Sequence, residues 1–129
     1  FDYKGAHVNV IDTPGSPGFL GKAIAAFPAV ETQIIMLDAS AGIDTITRKL
    51  ISVGRDRELP QVILVNKIDH ANDIPGLLEQ IQSTFGSVCR PVNLPAENGT
   101  AVIDCFKCAE GDSDLGDVAE FLCYARNNT

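Results

Sequence analysis

The sequence predicts an α/β domain built on a mainly parallel sheet, and three observations carry that prediction. Apolar runs that read as strands alternate with helical faces from residue 7 to residue 95, in the order β-α-β-α-β-α-β. Alternation of this kind implies right-handed crossovers onto a parallel sheet. Two of the runs, 33–38 and 61–65, are apolar almost without interruption, as strands covered by helices on both faces require. The helices between them bring their own start and stop residues.

Taken in order, residues 7–11 (His-Val-Asn-Val-Ile) are expected as a short strand with one buried side. Phe19, Leu20, Ala23, Ile24 and Phe27 share a helical face over 19–27, and Pro28 stops that helix. The strand 33–38 follows. Asp44 or Thr45 caps the next helix, whose face is Ile46, Leu50 and Val53 and which ends before Pro60. After the strand 61–65, Asp73 caps a helix with Pro75 in its first turn. Ile74, Leu77, Leu78, Ile81 and Phe85 line one side of it, and Gly86 suits its end. A final short strand is expected at 90–95, a turn-rich break at 96–100 and another strand from Ala101 to Phe106. A polar loop at 109–114 and a helix at 115–126 complete the reading, with no internal repeat.

At 129 residues the chain reads as one domain able to bury a core, and a hydrophobic content of 45% argues against disorder. The net charge of −7 disfavours direct binding to nucleic acid or to an acidic membrane surface. No apolar run approaches the length of a membrane span, and a cytoplasmic setting is expected. The only methionine is Met36, so a chain processed or excised from something longer is expected.

Two short motifs stand at the carboxyl ends of predicted strands: Asp12-Thr13-Pro14-Gly15 after 7–11, and Asn66-Lys67-Ile68-Asp69 after 61–65. Open α/β sheets bind their ligands at that end. In this order and placement the two resemble the third and fourth nucleotide motifs of a GTPase. The run from Val8 to Val102 is similar to the G domain of the translational GTPases, most of all elongation factor G and its bacterial elongation-factor-G-like relatives. The residues that carry this are Val-Asn-Val-Ile-Asp-Thr-Pro-Gly (8–15), Leu-Asp-Ala-Ser-Ala-Gly-Ile-Asp (37–44), Pro-Gln-Val-Ile-Leu-Val-Asn-Lys-Ile-Asp (60–69) and Pro-Val-Asn-Leu-Pro (91–95).

The resemblance implies an incomplete P-loop GTPase-type three-layer domain. Residues 1–96 would be a partial G-domain core, and 97–129 the start of the subdomain that elongation factor G inserts. In an intact parent, Asp12 would face Mg²⁺ through a water. Thr13 and Pro14 would shape the turn, and Gly15 would bring its N–H to the γ-phosphate. Asn66 would reach the base edge, the Lys67 stem would lie along the ring, and Asp69 would accept two hydrogen bonds from guanine. The cofactors implied are GTP or GDP with Mg²⁺ for the parent, and none is expected for this chain alone. The ribosome is the implied partner. The family places a His directly after Asp-Thr-Pro-Gly to position the attacking water, and this chain has Ser16 there. No catalytic residue is therefore assigned. The alternative is a non-hydrolysing GTP-binding switch or interaction module. An unrelated doubly wound domain for another ligand is a third reading, against which Asn66–Asp69 argues.

The family's phosphate loop, first switch and last guanine-contacting motif have no match within these 129 residues. Gly15 to Ala23 superficially suggests a phosphate loop. Ser16 and Ala23 break its spacing, and no G-x-G-x-x-G is present. The cysteines are Cys89, Cys105, Cys108 and Cys123. One C-x-x-C pair does not make a zinc site, so reduced thiols are expected. His7 and His70 read as structural or solvated.

The missing strand has a physical consequence. In the family it lies between the strands matching 7–11 and 33–38, and its helix helps cover one sheet face. The chain is expected either to pair 7–11 with 33–38 or to leave a defective sheet. Either outcome exposes an apolar face that favours self-association.

Overall fold

A computed structural model describes residues 1–71, 73–107 and 111–118. The chain divides into two compact units. One comprises Phe1–Met36 and Asp44–Leu64, and the other Leu37–Ile43 and Val65–Thr129.

The first unit opens with a hairpin of β1 (Asp2–Tyr3) and β2 (Ala6–His7), which turns through Lys4 and Gly5 at positive φ. Residues 8–15 then form neither helix nor strand. The expected strand at 7–11 is thus replaced by a two-residue strand ending at His7. The reason is the lack of a neighbour: a strand's amides need a partner strand, and beyond Val8, which still bonds to Phe1, no described strand pairs with 9–11. Val10 and Ile11 are accordingly 72% and 49% exposed.

A 3-10 turn at Pro17–Phe19 leads into α1 (Leu20–Ala26). Pro28 sits in the following 3-10 turn, Phe27–Ala29, and ends the helix as expected. Next comes α2 (Thr45–Asp56), and the side chain of Asp44 accepts a hydrogen bond from the Thr47 amide at 2.6 Å. That bond resolves the cap in favour of Asp44. The most buried positions of α2 are Ile51 and Gly54, while Ile46, Leu50 and Val53 are half-buried. The inward face is therefore rotated by one residue from the expected one.

Strands β3 (Gln33–Asp38) and β4 (Gln61–Asn66) pair with each other. The Gln33 amide donates to the Pro60 carbonyl at 2.9 Å, and six residues on along both strands the Ala39 amide donates to Asn66 at 2.9 Å. Equal advance on both strands is the mark of a parallel pair. A polar clamp fastens the pair to α2. Gln61 Nε2 donates to Gln33 Oε1 at 2.8 Å and to the Ile51 carbonyl at 2.9 Å, and Gln33 Nε2 donates to the Leu50 carbonyl at 3.3 Å. Gly54 makes room for it, because a Cβ there would collide with Gln33 Oε1 and lie 2.6 Å from Gln61 Nε2.

Exposure alternates along both strands. Gln33 and Ile35 are buried, whereas Ile34 and Met36 are 61% and 63% exposed and Val62 and Leu64 are 47% and 42% exposed. The sheet thus has one covered face and one bare apolar face, which is the defective form expected from the missing strand.

In the second unit, α3 (Ile74–Phe85) starts at Asp73, whose carboxylate accepts from the Gly76 amide at 2.8 Å, and stops at Gly86 with φ 105°. Leu77, Ile81 and Phe85 are its buried face. Strand β5 (Asn93–Ala96) pairs antiparallel with β6 (Ala101–Asp104) through a turn with Glu97, Asn98 and Gly99 at positive φ. The strand expected at 90–95 therefore starts later and forms a local hairpin, because a short turn brings a partner at once. The strand expected to Phe106 ends at Asp104. A second small hairpin joins β7 (Asp112–Ser113) to β8 (Gly116–Asp117). The helix expected at 115–126 does not begin at 115: residues 115–117 are turn and strand, Val118 is helical, and the remainder, like part of the polar loop at 109–114, lies outside the described residues. Leu94, Cys105 and Val118 are the buried centre of this part, with Ile103 and Leu115 packed against them. Among the described residues the parallel pair β3–β4 has no further strand beside it.

Candidate functional site

Asp12, Thr13, Pro14 and Gly15 lie in the irregular segment of the first unit, with Thr13 half-buried and the other three exposed. Ser16 is exposed and precedes the 3-10 turn, and its side chain makes no capping bond. A Cβ on Gly15 would meet nothing within 4 Å. The freedom of that glycine is therefore not used within the chain. It suits a close approach from outside.

Asn66, Lys67 and Asp69 belong to the second unit, where β4 ends. The Asn66 carbonyl accepts from Ala39 at 2.9 Å, as described above. Lys67 follows in left-handed backbone, φ 58° and ψ 39°. That conformation costs a residue with a side chain about 1–2 kcal/mol, so neighbouring bonds must hold it. Two do so: the strand pairing that ends at Asn66, and an ion pair between Lys67 Nζ and Asp38 Oδ2 at 2.6 Å. Asp69 lies in the 3-10 turn Ile68–His70 with an exposed side chain, and His70 Nε2 stands 3.2 Å from its Oδ2.

Asp38 was not legible as a site residue. Its carboxylate accepts from the Lys67 ammonium, from Ser40 Oγ at 2.6 Å and from the Ser40 amide at 2.9 Å. The ammonium first, then Ser40, holds its carboxyl well below the usual carboxylate range. Lys67 is raised in turn by Asp38. The available signal was positional: Asp38 ends β3 as Asn66 ends β4, so in a parallel pair their carboxyl ends lie side by side.

Asn66, Lys67 and Asp69 offer the amide, aliphatic stem and carboxylate that a guanine ring needs. Among the described residues no three His, Cys, Asp or Glu side chains gather where they could hold a metal ion. Asp12 by itself offers a single carboxylate and does not complete a Mg²⁺ site. His7 lies 2.7 Å from Asp2 on the exposed hairpin and His70 beside Asp69. Cys105 is a buried thiol and Cys89 a half-buried one, while Cys108 and Cys123 lie outside the described residues.

Known proteins are similar to this chain over most of its length. Peptide chain release factor 3 of Streptococcus pyogenes serotype M2 is 35% identical over 102 residues, covering 78% of this chain and 20% of that protein. The same factor from serotype M5 is 34% identical over 102 residues. A crystal structure from Thermus thermophilus is similar at a TM-score of 0.72 and 31% identity, covering 81% of this chain and 16% of that one. The chain therefore spans about a fifth of the length of the curated relatives it matches. The family described as the elongation factor Tu GTP binding domain matches residues 1–125. With that match over nearly its whole length, the chain belongs to the elongation factor Tu GTP-binding domain family.

Proposed function

We propose that this chain supplies the guanine-reading half of a translational GTPase of the elongation-factor-G-like class, which acts on the ribosome in the cytoplasm. The observation that carries the reading is Asn66-Lys67-Ile68-Asp69 at the carboxyl end of a parallel strand, with Lys67 held left-handed and Asp69 open to solvent. Asp69 accepts from the guanine N1–H and 2-amino group, which adenine does not offer. Asn66 reaches the base edge, and the Lys67 stem lies along the ring. Asp12, Thr13, Pro14 and Gly15 serve the phosphate side, with Asp12 toward Mg²⁺ when other ligands complete its shell. Residues 1–96 form the G-domain core, and 97–129 begin the inserted subdomain. The curated relatives are named for peptide chain release, so the translation step served is either release or elongation.

The 129 residues contain no phosphate loop. By itself the chain binds nucleotide weakly, with a dissociation constant of roughly 1 mM or more, about 4 kcal/mol, and does not hydrolyse it. The second reading, a GTP-binding module that does not hydrolyse, is favoured by Ser16, whose hydroxyl does not replace an imidazole. It needs no residue different from the first. The acidic surface gives no support to direct nucleic-acid binding, and the bare face of β3 and β4 supports self-association.

Titration of the chain with GDP, GTP and ADP, followed by amide chemical shifts, tests the reading. Weak binding that prefers guanine and perturbs residues 66–70 is expected. Equal binding of ADP and GDP would overturn it. Ribosome-stimulated turnover by a longer protein containing this chain would eliminate the non-hydrolysing alternative.

A further inference from the structure

We infer that Asp38, which lies outside the Asn-Lys-x-Asp motif, is a positioning residue for guanine binding and acts through Lys67. The inference rests on the guanine-reading assignment of Lys67 made above.

Lys67 has two problems to solve before a base can lie against it. Its backbone is left-handed, φ 58° and ψ 39°, and its side chain has four rotatable bonds to immobilise. A ligand that had to impose both would lose affinity in ordering them. The ion pair addresses the second directly, since Nζ is held 2.6 Å from Asp38 Oδ2. Asp38 is itself not loose. Its other oxygen accepts from both the hydroxyl and the amide of Ser40, at 2.6 and 2.9 Å, and the amides of Ala41 and Gly42 bond to its carbonyl at 3.1 and 3.0 Å. The next residue, Ala39, binds the Asn66 carbonyl. The start of the guanine motif is thus tied twice to the end of β3, once through backbone and once through charge. The backbone tie orients Asn66. The charge tie fixes the far end of Lys67, so that its methylene stem is ordered before a ring arrives.

This assigns different roles to the two carboxylates near Lys67. Asp69 touches the base; among the described residues the hydrogen bonds of Asp38 go to Lys67 and to its own loop. Removing the charge at 38 should weaken the contact to the ring and leave the contact to phosphate unchanged.

The test is a double-mutant cycle on the whole chain with GDP and pyrophosphate as separate probes. Asp38→Asn is expected to weaken GDP about two- to fivefold, to leave pyrophosphate at the wild-type level, and to add nothing further in a Lys67→Met background. Asp38→Glu should restore part of the loss. An additive loss in the double variant, or an equal loss for pyrophosphate, would overturn the inference. The Cα and Cβ shifts of Lys67 give a readout that needs no nucleotide. They should move toward flexible values in Asp38→Asn and return in Asp38→Glu, and unchanged shifts would also overturn it. Should the wild-type chain show no guanine preference, the functional reading fails, while these shifts still decide whether Asp38 holds Lys67.

Discussion

The two short motifs of this protein, Asp12–Gly15 and Asn66–Asp69, have the same expected placement in sequence and opposite states in structure. Asn66–Asp69 leaves a paired strand, and its backbone and Lys67 are tied by hydrogen bonds and charge. Asp12–Gly15 follows residues 9–11, which pair with no strand among the described residues, and it is irregular and largely exposed. A loop at the end of a strand inherits its order from that strand. The motif residues do not create it: Asp, Thr, Pro and Gly suit a turn, yet here they follow an unpaired run and stay without regular structure.

Amide exchange reads this contrast directly and should show its largest effect. Amides of β3 and β4 should exchange slowly and those of 9–15 close to free-peptide rates. Equal protection of both would break the comparison. Next in size is the clamp beneath the ordered motif. Gly54→Val places side-chain atoms on Gln33 and Gln61 and should lower stability by about 1–3 kcal/mol, measured by urea unfolding. Protection at 61–66 should fall with it. An unchanged midpoint would mean that the glutamines rearrange freely.

The caps come third. Asp73→Ala and Asp44→Ala should each cost about 1 kcal/mol. Asp44 also carries a pH signature, because its bonds to Thr47 lower its pKa. A depressed carboxyl stabilises the fold above its unfolded value of about 3.9. That contribution is lost as pH falls through the lower folded value. Asp44→Asn should keep the cap and flatten stability below pH 4. A wild type whose stability is already flat there would contradict the assignment.

The same sign rule applies at both ends of the Asp38–Lys67 pair. Asp38 is lowered and contributes above about pH 4, whereas Lys67 is raised and contributes below about pH 10. Lys67 shifts should therefore stay constant from pH 5 to pH 9. A change in that window would show that the pair is open.

The smallest effects on stability belong to exposed positions. Met36→Lys and Ile34→Lys on the bare sheet face, and Asp12→Ala in the irregular segment, should each change it by less than about 0.5 kcal/mol. The first two should nevertheless reduce association in light scattering. A wild type that is strictly monomeric would remove the reason for that expectation.

What was legible in the sequence follows from how local each signal is. The strands 33–38 and 61–65, a cap at Asp44 or Thr45, the cap Asp73 and the stop at Gly86 are written within a few residues of themselves, and the structure has each, with the second strand running on to Asn66 and the first cap at Asp44. The strand expected at 7–11 required a neighbour that sequence pattern does not specify. The run at 90–95 found its neighbour only a turn away in 101–104. The parallel expectation missed this because apolar content does not encode strand direction. Asn66, Lys67 and Asp69 were singled out as a motif by their spacing. Asp38 was not, because it lies 29 residues from Lys67 and only strand pairing joins them.

The left-handed backbone at Lys67 also shapes which sequences this turn tolerates. Glycine, and to a lesser degree asparagine, would keep the turn while removing the ammonium. Valine or isoleucine would oppose the turn itself. A library randomised at position 67 and selected only for folding should therefore enrich glycine and asparagine and deplete the β-branched residues. The same library selected for guanine binding should return to lysine. Two different rankings from one position would separate the demand of the chain from the demand of its ligand.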